Sequence, residues 1–158
     1  MTITARTPCA YVIALVAGAA LFATTASALG TADDAKAMLA KTIAALKADK
    51  AKTLDEINKG ENGFLNGDIY PFCFNLSDGV LVAVANQNAK QNLGKDIREN
   101  KDANGKAFGQ ELYDVGKEGG GKEVSYMFPK PGPDKTPAQK SSFVATAAGL
   151  VCGVGYYK

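Results

Sequence analysis

The residues of this chain that could carry chemistry are two cysteines, one lysine and one acidic loop. The 158 residues include no histidine, which excludes Ser-His-Asp and Cys-His nucleophile systems. Cys73 and Cys152 are the two cysteines outside the N-terminal leader, and in an oxidising compartment such a pair forms a disulfide. The alternative is a redox-active or metal-binding pair, but the chain has no Cys-x-x-Cys spacing. We therefore predict a Cys73–Cys152 disulfide, no catalytic residue, no cofactor and no enzymatic activity.

The lysine is Lys140, which opens the β-tolerant run 140–147. A cation that enters an otherwise apolar strand is costly to bury unless it meets an anion. Lys140 is therefore a candidate for binding an anionic group. The alternative is that Lys140 is simply the exposed first residue of its strand.

The acidic loop begins at Asn100 and fits part of the EF-hand calcium pattern. It matches positions three, five, six and twelve of that pattern: Asp102, Asn104, Gly105 and Glu111. Asn100 stands where the first aspartate is expected, and the loss of that charge weakens a calcium site. The alternative is an Asx-rich turn that leads into a helix. We predict no metal site and keep calcium as the weaker alternative.

Residues 1–28 have the features of an export signal. They contain a short segment with Arg6, an uncharged apolar stretch over residues 10–22 and a small-residue cleavage site at residues 26–28. The alternative is a membrane anchor, but the apolar stretch is shorter than the roughly 20 residues that span a bilayer. Cleavage leaves residues 29–158, enough for one domain with its own core. We predict a periplasmic or secreted protein without a membrane span after cleavage.

Charge gives no indication of a nucleic-acid partner. The formal net charge is only +2, and the basic and acidic residues are mixed along the chain. A nucleic-acid-binding domain would gather its basic residues into a patch or stripe. We therefore predict no binding to nucleic acid.

Two helices are predicted from apolar residues at helical spacing. The first begins at Thr31, which forms a capping-box pattern with Asp34, and it ends at Gly60 with a bend expected between residues 48 and 51. The second covers residues 106–115. The polar segment before the second helix predicts a loop with one or two short helical turns.

Five runs have strand character, over residues 70–75, 80–85, 123–128, 140–147 and 150–157. The first two flank Ser77-Asp78-Gly79, a turn signature that joins antiparallel strands. Four prolines between residues 129 and 137 predict an exposed connection. Five strands with helices grouped on one side indicate an α+β fold.

Six short motifs occur in one order along the chain. They are Y-P-F-C-F-N-L-S-D-G-V at 70–80, L-G-K-D-I-R at 93–98, K-D-A-N-G-K-A-F at 101–108, E-V-S-Y-M-F-P-K-P-G at 123–132, K-S-S-F-V at 140–144 and G-V-G-Y-Y at 153–157. Together they resemble the single Cache domains of type 2, which are extracytoplasmic sensor modules with a PAS-like fold. The resemblance implies a five-stranded antiparallel sheet with a long N-terminal helix and short helices. It also implies that the first strand lies beside the last, as a Cys73–Cys152 disulfide requires.

The resemblance implies non-covalent binding of a small ligand, commonly a small organic acid or an amino acid. We predict that Lys140 and the Tyr126 hydroxyl hold a carboxylate. The full set of predicted ligand-binding residues is Lys140, Tyr126, Tyr70, Phe72, Phe74 and Ser142. Related domains often have a His-Pro pair after the second strand, where this chain has Ala85-Asn86, so any histidine contact of the relatives is absent. Which face of the sheet forms the pocket stays open.

The partners expected from the resemblance are a small-molecule ligand and a separate protein that receives the signal. We expect the domain to pass its bound state to a receptor or kinase ectodomain, or to form a homodimer through its long helix. The alternative function is that of a periplasmic structural or interaction protein with no ligand pocket. An internal cavity lined by aromatic and polar groups would favour sensing, and a filled core would favour the alternative.

Overall fold

The computed structural model describes residues 29–158. The predicted export signal, including Cys9, lies outside the described residues. In chain order the elements are α1 (Ala32–Ala48), α2 (Lys50–Lys59), β1 (Pro71–Asn75), β2 (Leu81–Val84), a first 3₁₀ helix (Gln87–Asn92), a second 3₁₀ helix (Ile97–Glu99), α3 (Phe108–Lys117), β3 (Gly120–Pro129), β4 (Pro137–Ala147) and β5 (Leu150–Tyr157). Within this part of the chain, no helix has both the length and the apolar character needed to cross a membrane.

The N-terminal helical segment is divided at Asp49. Thr31 and Asp34 form the predicted capping box, in which each side chain accepts a hydrogen bond from the backbone N–H of the other. Asp49 has an extended backbone with φ of −153°, and its carboxylate accepts a hydrogen bond from the N–H of Lys52. This residue therefore ends α1 and caps α2. The bend expected between residues 48 and 51 is a break between two helices.

The five strands form one antiparallel sheet in the order β2-β1-β5-β4-β3. The predicted α+β class and five-stranded sheet are confirmed, and β1 lies beside β5 as the resemblance implied. The turn between β1 and β2 depends on Asp78, whose carboxylate accepts a hydrogen bond from the N–H of Val80. Gly79 adopts a φ of +77° at this turn, a conformation that favours glycine.

The predicted disulfide joins the two central strands. Cys73 of β1 and Cys152 of β5 are directly opposite each other in the antiparallel register, with their Cα atoms 4.1 Å apart. Both residues are fully buried. Because the bridge closes a loop of 79 residues, it restricts the unfolded chain and stabilises the fold by about 4 kcal/mol on the chain-entropy model.

Helices cover both faces of the sheet, so the expectation that they are grouped on one side is wrong. Helix α1 packs on one face against β4 and β5, where the ammonium of Lys36 lies 5.2 Å from the ring centroid of Phe143. Helix α3 packs on the other face, and Gly116 permits close contact because a Cβ there would lie 2.5 Å from the side chain of Val151. The second face holds the cavity described below.

Two strands are longer than predicted. β3 begins at Gly120 and β4 begins at Pro137, and the two pair from Gly120 with Ala145 to Pro129 with Pro137. The prolines therefore close the ladder at its end, and residues 130–136 form the exposed connection. Lys140 is consequently the fourth residue of β4 and is buried, so the alternative of an exposed strand start is wrong.

Candidate ligand-binding site

A cavity lies between the α3 face of the sheet and the short helices that follow β2. Its deeper part, which we call the inner chamber, has a volume of about 60 Å³ and is mainly apolar. The inner chamber is lined among others by Tyr70, Phe72, Phe108, Tyr126, Phe128 and Lys140. One water molecule requires only about 15 Å³ by the same measure, so the inner chamber can accept a small group of atoms.

The inner chamber shares part of its wall with a larger and more polar space, which we call the outer chamber. The outer chamber has a volume of about 580 Å³. Its walls share several residues with the inner chamber and add charged, amide and phenol groups: Asp68, Asn86, Gln87, Gln91, Lys130 and Tyr157. Lys140 lines both chambers, which makes it the charged group at their junction.

Lys140 lies opposite Tyr126 of β3 and Tyr157 of β5, and only 3% of its surface is exposed. Its ammonium nitrogen lies 4.7 Å from the ring centroid of Tyr70, 5.2 Å from that of Phe128 and 4.6 Å from that of Tyr157. These distances permit cation–π attraction. No carboxylate between residues 29 and 158 forms an ion pair with it. Aromatic faces therefore surround a cation that has no ion-pair partner among these residues.

Burial sets the protonation of this lysine. Desolvation lowers the pKa of Lys140 to about 8, and the negative charge of Asp68 opposes the shift. The side chain is still mainly protonated at neutral pH. A bound anion would favour the charged form and raise this pKa again.

Tyr126 supplies a neutral hydroxyl in the same wall. Its phenolic oxygen lies 2.7 Å from Oγ of Ser142 in a buried hydrogen bond. The Tyr126 ring stacks on Phe108 with centroids 4.2 Å apart and meets the edge of Phe128 at 5.9 Å. Burial raises the pKa of Tyr126 well above its ordinary value, so the hydroxyl keeps its proton and can donate a hydrogen bond.

Two glycines of β5 leave space on the cavity face of the sheet. A Cβ at Gly155 would lie 2.6 Å from both Cε of Lys140 and Oγ of Ser142. A Cβ at Gly153 would lie 2.4 Å from the ring of Phe72. The G-V-G-Y-Y motif therefore contributes to the site by lacking side chains, which the sequence pattern alone did not indicate.

Asp68 is a second buried charge at the outer chamber. Its Oδ1 accepts a hydrogen bond of 2.8 Å from the N–H of Gly30. Its Oδ2 is buried, and among residues 29–158 no donor contacts it. Asp68 was not predicted as a site residue. Its position two residues before Tyr70, next to a strand, was the only signal in the sequence.

Five of the six predicted ligand-binding residues come together in the structure. Four of them line the inner chamber: Lys140, Tyr126, Tyr70 and Phe72. The fifth, Ser142, does not line it but forms a hydrogen bond with the Tyr126 hydroxyl. The sixth residue, Phe74, is on the same face of β1 as Phe72 but lies about 7 Å further along the strand. There it is fully buried, with its ring centroid 6.2 Å from that of Tyr113 in α3. Phe74 therefore belongs to the core rather than to the chamber wall.

The acidic loop is an Asx-rich turn. Oδ1 of Asp102 accepts hydrogen bonds of 2.9 Å from the N–H groups of Asn104 and Lys106, and Oδ2 accepts one of 3.0 Å from Met127. These hydrogen bonds lower the pKa of Asp102, and the bond from the N–H of Met127 has the largest effect. Glu111 forms an ion pair with Lys106 at 2.6 Å. In the described chain, no group of three acidic or cysteine side chains is arranged for a metal ion.

Comparison with known proteins gives a family and a fold. The Cache domain family matches residues 19–158, and no curated protein matches the chain. A methyl-accepting chemotaxis protein from Vibrio parahaemolyticus RIMD 2210633 has a similar crystal structure, with 21% identity, a TM-score of 0.63 and coverage of 79% of this chain and 86% of that one.

Two further solved structures have 25% identity to this chain. One is the periplasmic sensor domain of a chemotaxis protein, with a TM-score of 0.59 and coverage of 79% of this chain and 88% of that one. The other is a Cache chemosensory domain described for its carboxylic acid recognition, with a TM-score of 0.56 and coverage of 79% of this chain and 86% of that one. The family match covers most of the chain and agrees with the observed sheet order, so this protein belongs to the Cache domain family as a single Cache domain of type 2.

Proposed function

We propose that this protein is an exported sensor domain that binds a small organic acid or amino acid non-covalently and passes the bound state to a separate partner. The observation that carries this proposal is the Lys140 ammonium, which is buried in the wall of a cavity without an anionic partner in the described chain. A buried cation of this kind is costly unless an anion meets it. A carboxylate at the junction of the two chambers supplies that anion.

The neighbouring groups favour a carboxylate over other anions. Its second oxygen can accept a hydrogen bond from the Tyr126 hydroxyl, because Ser142 Oγ can be the donor in the Tyr126–Ser142 hydrogen bond and so leave the Tyr126 proton available. The remaining walls are rings and aliphatic groups, which suit the hydrocarbon part of a small acid. The solved Cache chemosensory domain at 25% identity, described for carboxylic acid recognition, supports the same ligand class.

The cavity favours this proposal over the alternative of a structural protein without a ligand pocket. The inner and outer chambers together contain polar groups that converge on open space, which is typical of binding sites. A purely structural domain would fill this face with apolar side chains.

Export and signalling complete the proposal. The export signal over residues 1–28 directs the domain to the periplasm or the outside of the cell, as the periplasmic sensor domain among the similar structures supports. We propose that the domain delivers its bound state to a receptor or kinase ectodomain, or pairs with a second copy through α1.

The test is calorimetric titration of the purified protein with acetate, propionate, lactate, isovalerate and L-valine. Lys140→Met should weaken binding of every acid that the wild-type protein binds by about 10- to 100-fold, the value of a charge-assisted hydrogen bond. Lys101→Met is the matched control, because Lys101 is exposed and does not line either chamber. Unchanged affinity in Lys140→Met, or no binding of any of these acids to wild type, would contradict the proposal.

A further inference from the structure

Asp68 holds the backbone at the start of the described chain. Its Oδ1 accepts a hydrogen bond of 2.8 Å from the N–H of Gly30. A Cβ at Gly30 would lie 2.1 Å from Cγ1 of Ile69, so a larger residue would displace Ile69. The next residue, Thr31, donates its N–H to Asp34 at 2.8 Å. The backbone is therefore held from Gly30 onward, directly before α1.

The second oxygen of Asp68 lacks a partner. Only 7% of the surface of Asp68 is exposed. Oδ2 is the single buried side-chain oxygen or nitrogen of residues 29–158 without a hydrogen-bond partner. Such an oxygen is unfavourable, because it has lost its water and gained no donor. A cationic donor would satisfy the hydrogen bond and compensate the charge of the carboxylate.

The charged groups of the outer chamber do not supply this donor. Three lysines line that chamber with Asp68: Lys130, Lys135 and Lys140. None of them lies within the 4.0 Å of an ion pair with Asp68. Burial raises the pKa of Tyr70 and of Tyr157, and the charge of Asp68 adds to this effect, so both hydroxyls stay neutral.

The first turn of α1 adds two carboxylates to this end of the domain, and both already have partners. Asp34 accepts hydrogen bonds from the N–H and the hydroxyl of Thr31. Asp33 forms an ion pair with Lys36 at 3.5 Å. Both carboxylates are exposed to water. Asp68 is the acid at this end of the described chain that combines burial with an unsatisfied oxygen.

We propose that removal of the export signal creates the missing partner, the α-ammonium group of Leu29, which forms an ion pair with Oδ2 of Asp68. This inference rests on the export-signal part of the proposed function, with cleavage after Ala28. Hydrolysis of that peptide bond adds the hydroxyl of water to the carbonyl carbon of Ala28 and leaves a free amino group on Leu29. Before hydrolysis the same nitrogen is an uncharged amide and cannot form an ion pair.

The position of Leu29 suits this role. Its nitrogen is at most about 3.6 Å along the chain from the nitrogen of Gly30, which Asp68 already holds. Leu29 is 48% exposed, so its backbone can turn toward Oδ2 without displacing core packing. The ion pair would fix the first residue of the processed domain against the segment that leads into β1.

The test compares two processed forms of the protein. The full chain is expressed with its own export signal and purified after export, and the intact mass identifies its first residue. The extended form has Gly-Ser-Gly inserted between Ala28 and Leu29, so the same cleavage leaves the α-amino group three residues further from Asp68. The pH dependence of acetylation by acetic anhydride, followed by mass spectrometry of the N-terminal peptide, gives the pKa of the α-amino group in each form.

The α-amino pKa of the form that begins at Leu29 should be raised by about one unit or more from its ordinary value of about 8, because the carboxylate stabilises the charged form. The extended form should have the ordinary value. Asp68→Asn keeps an oxygen for the Gly30 N–H but has no charge, and it should return the pKa to the ordinary value. Asp55→Asn is the matched control, because Asp55 is exposed on α2, and it should leave the pKa raised.

Thermal unfolding provides a second measurement. At pH 7 the form that begins at Leu29 should melt about 3 °C or more above the extended form. A raised pKa contributes stability that is complete below the ordinary value and is lost as the pH rises through the raised value. The difference should therefore disappear between about pH 8 and about pH 10. Lys140, with a pKa of about 8, titrates in both forms, so the comparison cancels its effect.

The outcomes distinguish this inference from the proposed function. A first residue other than Leu29 would contradict both the predicted cleavage and the ion pair. Leu29 as first residue with an ordinary α-amino pKa, or with a raised pKa that persists in Asp68→Asn, would overturn the ion pair and leave export standing. The comparison with the extended form decides the question by itself if Asp68→Asn does not fold.

Discussion

Replacing Lys140 by methionine should make the unliganded protein more stable at neutral pH. Burial lowers the pKa of Lys140 from 10.5 to about 8. Between these pH values the unfolded chain binds more protons than the folded chain, so the free energy of unfolding rises as the pH rises through this window. Below the window the folded protein holds a desolvated cation, and the uncharged methionine removes that cost.

The magnitude follows from the two pKa values of Lys140. The difference between 10.5 and about 8 corresponds to a destabilisation of about 3 kcal/mol near neutral pH. Cation–π attraction to Tyr70, Phe128 and Tyr157 offsets about 1–2 kcal/mol of this. We therefore expect Lys140→Met to raise the free energy of unfolding by about 1–2 kcal/mol.

The assay is urea unfolding of the wild-type protein, Lys140→Met and the exposed control Lys101→Met. The advantage of Lys140→Met should fall by about 1 kcal/mol between about pH 7 and about pH 9, because the wild-type lysine becomes neutral in the folded state. Lys101→Met should match wild type throughout. A less stable Lys140→Met, or an advantage that does not change with pH, would show that desolvation does not control the energy of this lysine.

Three further predictions concern the disulfide, the β5 glycines and the acidic loop. Replacing Cys73 and Cys152 by alanine should lower the free energy of unfolding, measured by urea unfolding, by about 4 kcal/mol. A reductant should destabilise the wild-type protein by a similar amount and should not affect the variant, and an equally stable variant would contradict this. Gly155→Ala should destabilise the protein by about 1–3 kcal/mol through overpacking against Lys140 and Ser142 and should weaken carboxylate binding; equal melting temperature and affinity would contradict this. Millimolar calcium should leave the melting temperature unchanged, since the Asp102 carboxylate already accepts three backbone N–H groups, and a rise would revive the calcium alternative.

The fold could be predicted largely because its signals are local. The strand runs, the Ser77-Asp78-Gly79 turn and the capping box at Thr31 each depend on residues close in sequence. The neighbour relation of β1 and β5 came instead from the motif resemblance, and it agreed with the pairing of Cys73 and Cys152. Strand ends were predicted less well, because pairing between β3 and β4 extends both strands beyond their β-rich residues.

The site was only partly predictable, for reasons of three-dimensional packing. The burial of Lys140 depends on the extension of β4 to Pro137 and on the rings of Tyr70, Phe128 and Tyr157. The positions of Phe72, Lys140 and Ser142 in the cavity wall depend on the missing side chains of Gly153 and Gly155. These contacts between strands cannot be read from the sequence. Asp68 lies outside any motif of alternating residues, and its free oxygen is a property of the folded chain alone.

Lys140 and Asp68 together explain why this face of the sheet is poorly optimised for stability. Neither forms an ion pair within the described chain, and Oδ2 of Asp68 has no hydrogen-bond partner there. A well-packed apolar pair would cost less. Departures from such local rules are expected where a site has a function. A carboxylate bound at Lys140 would remove the cost of that buried cation, so binding should raise the melting temperature of the protein.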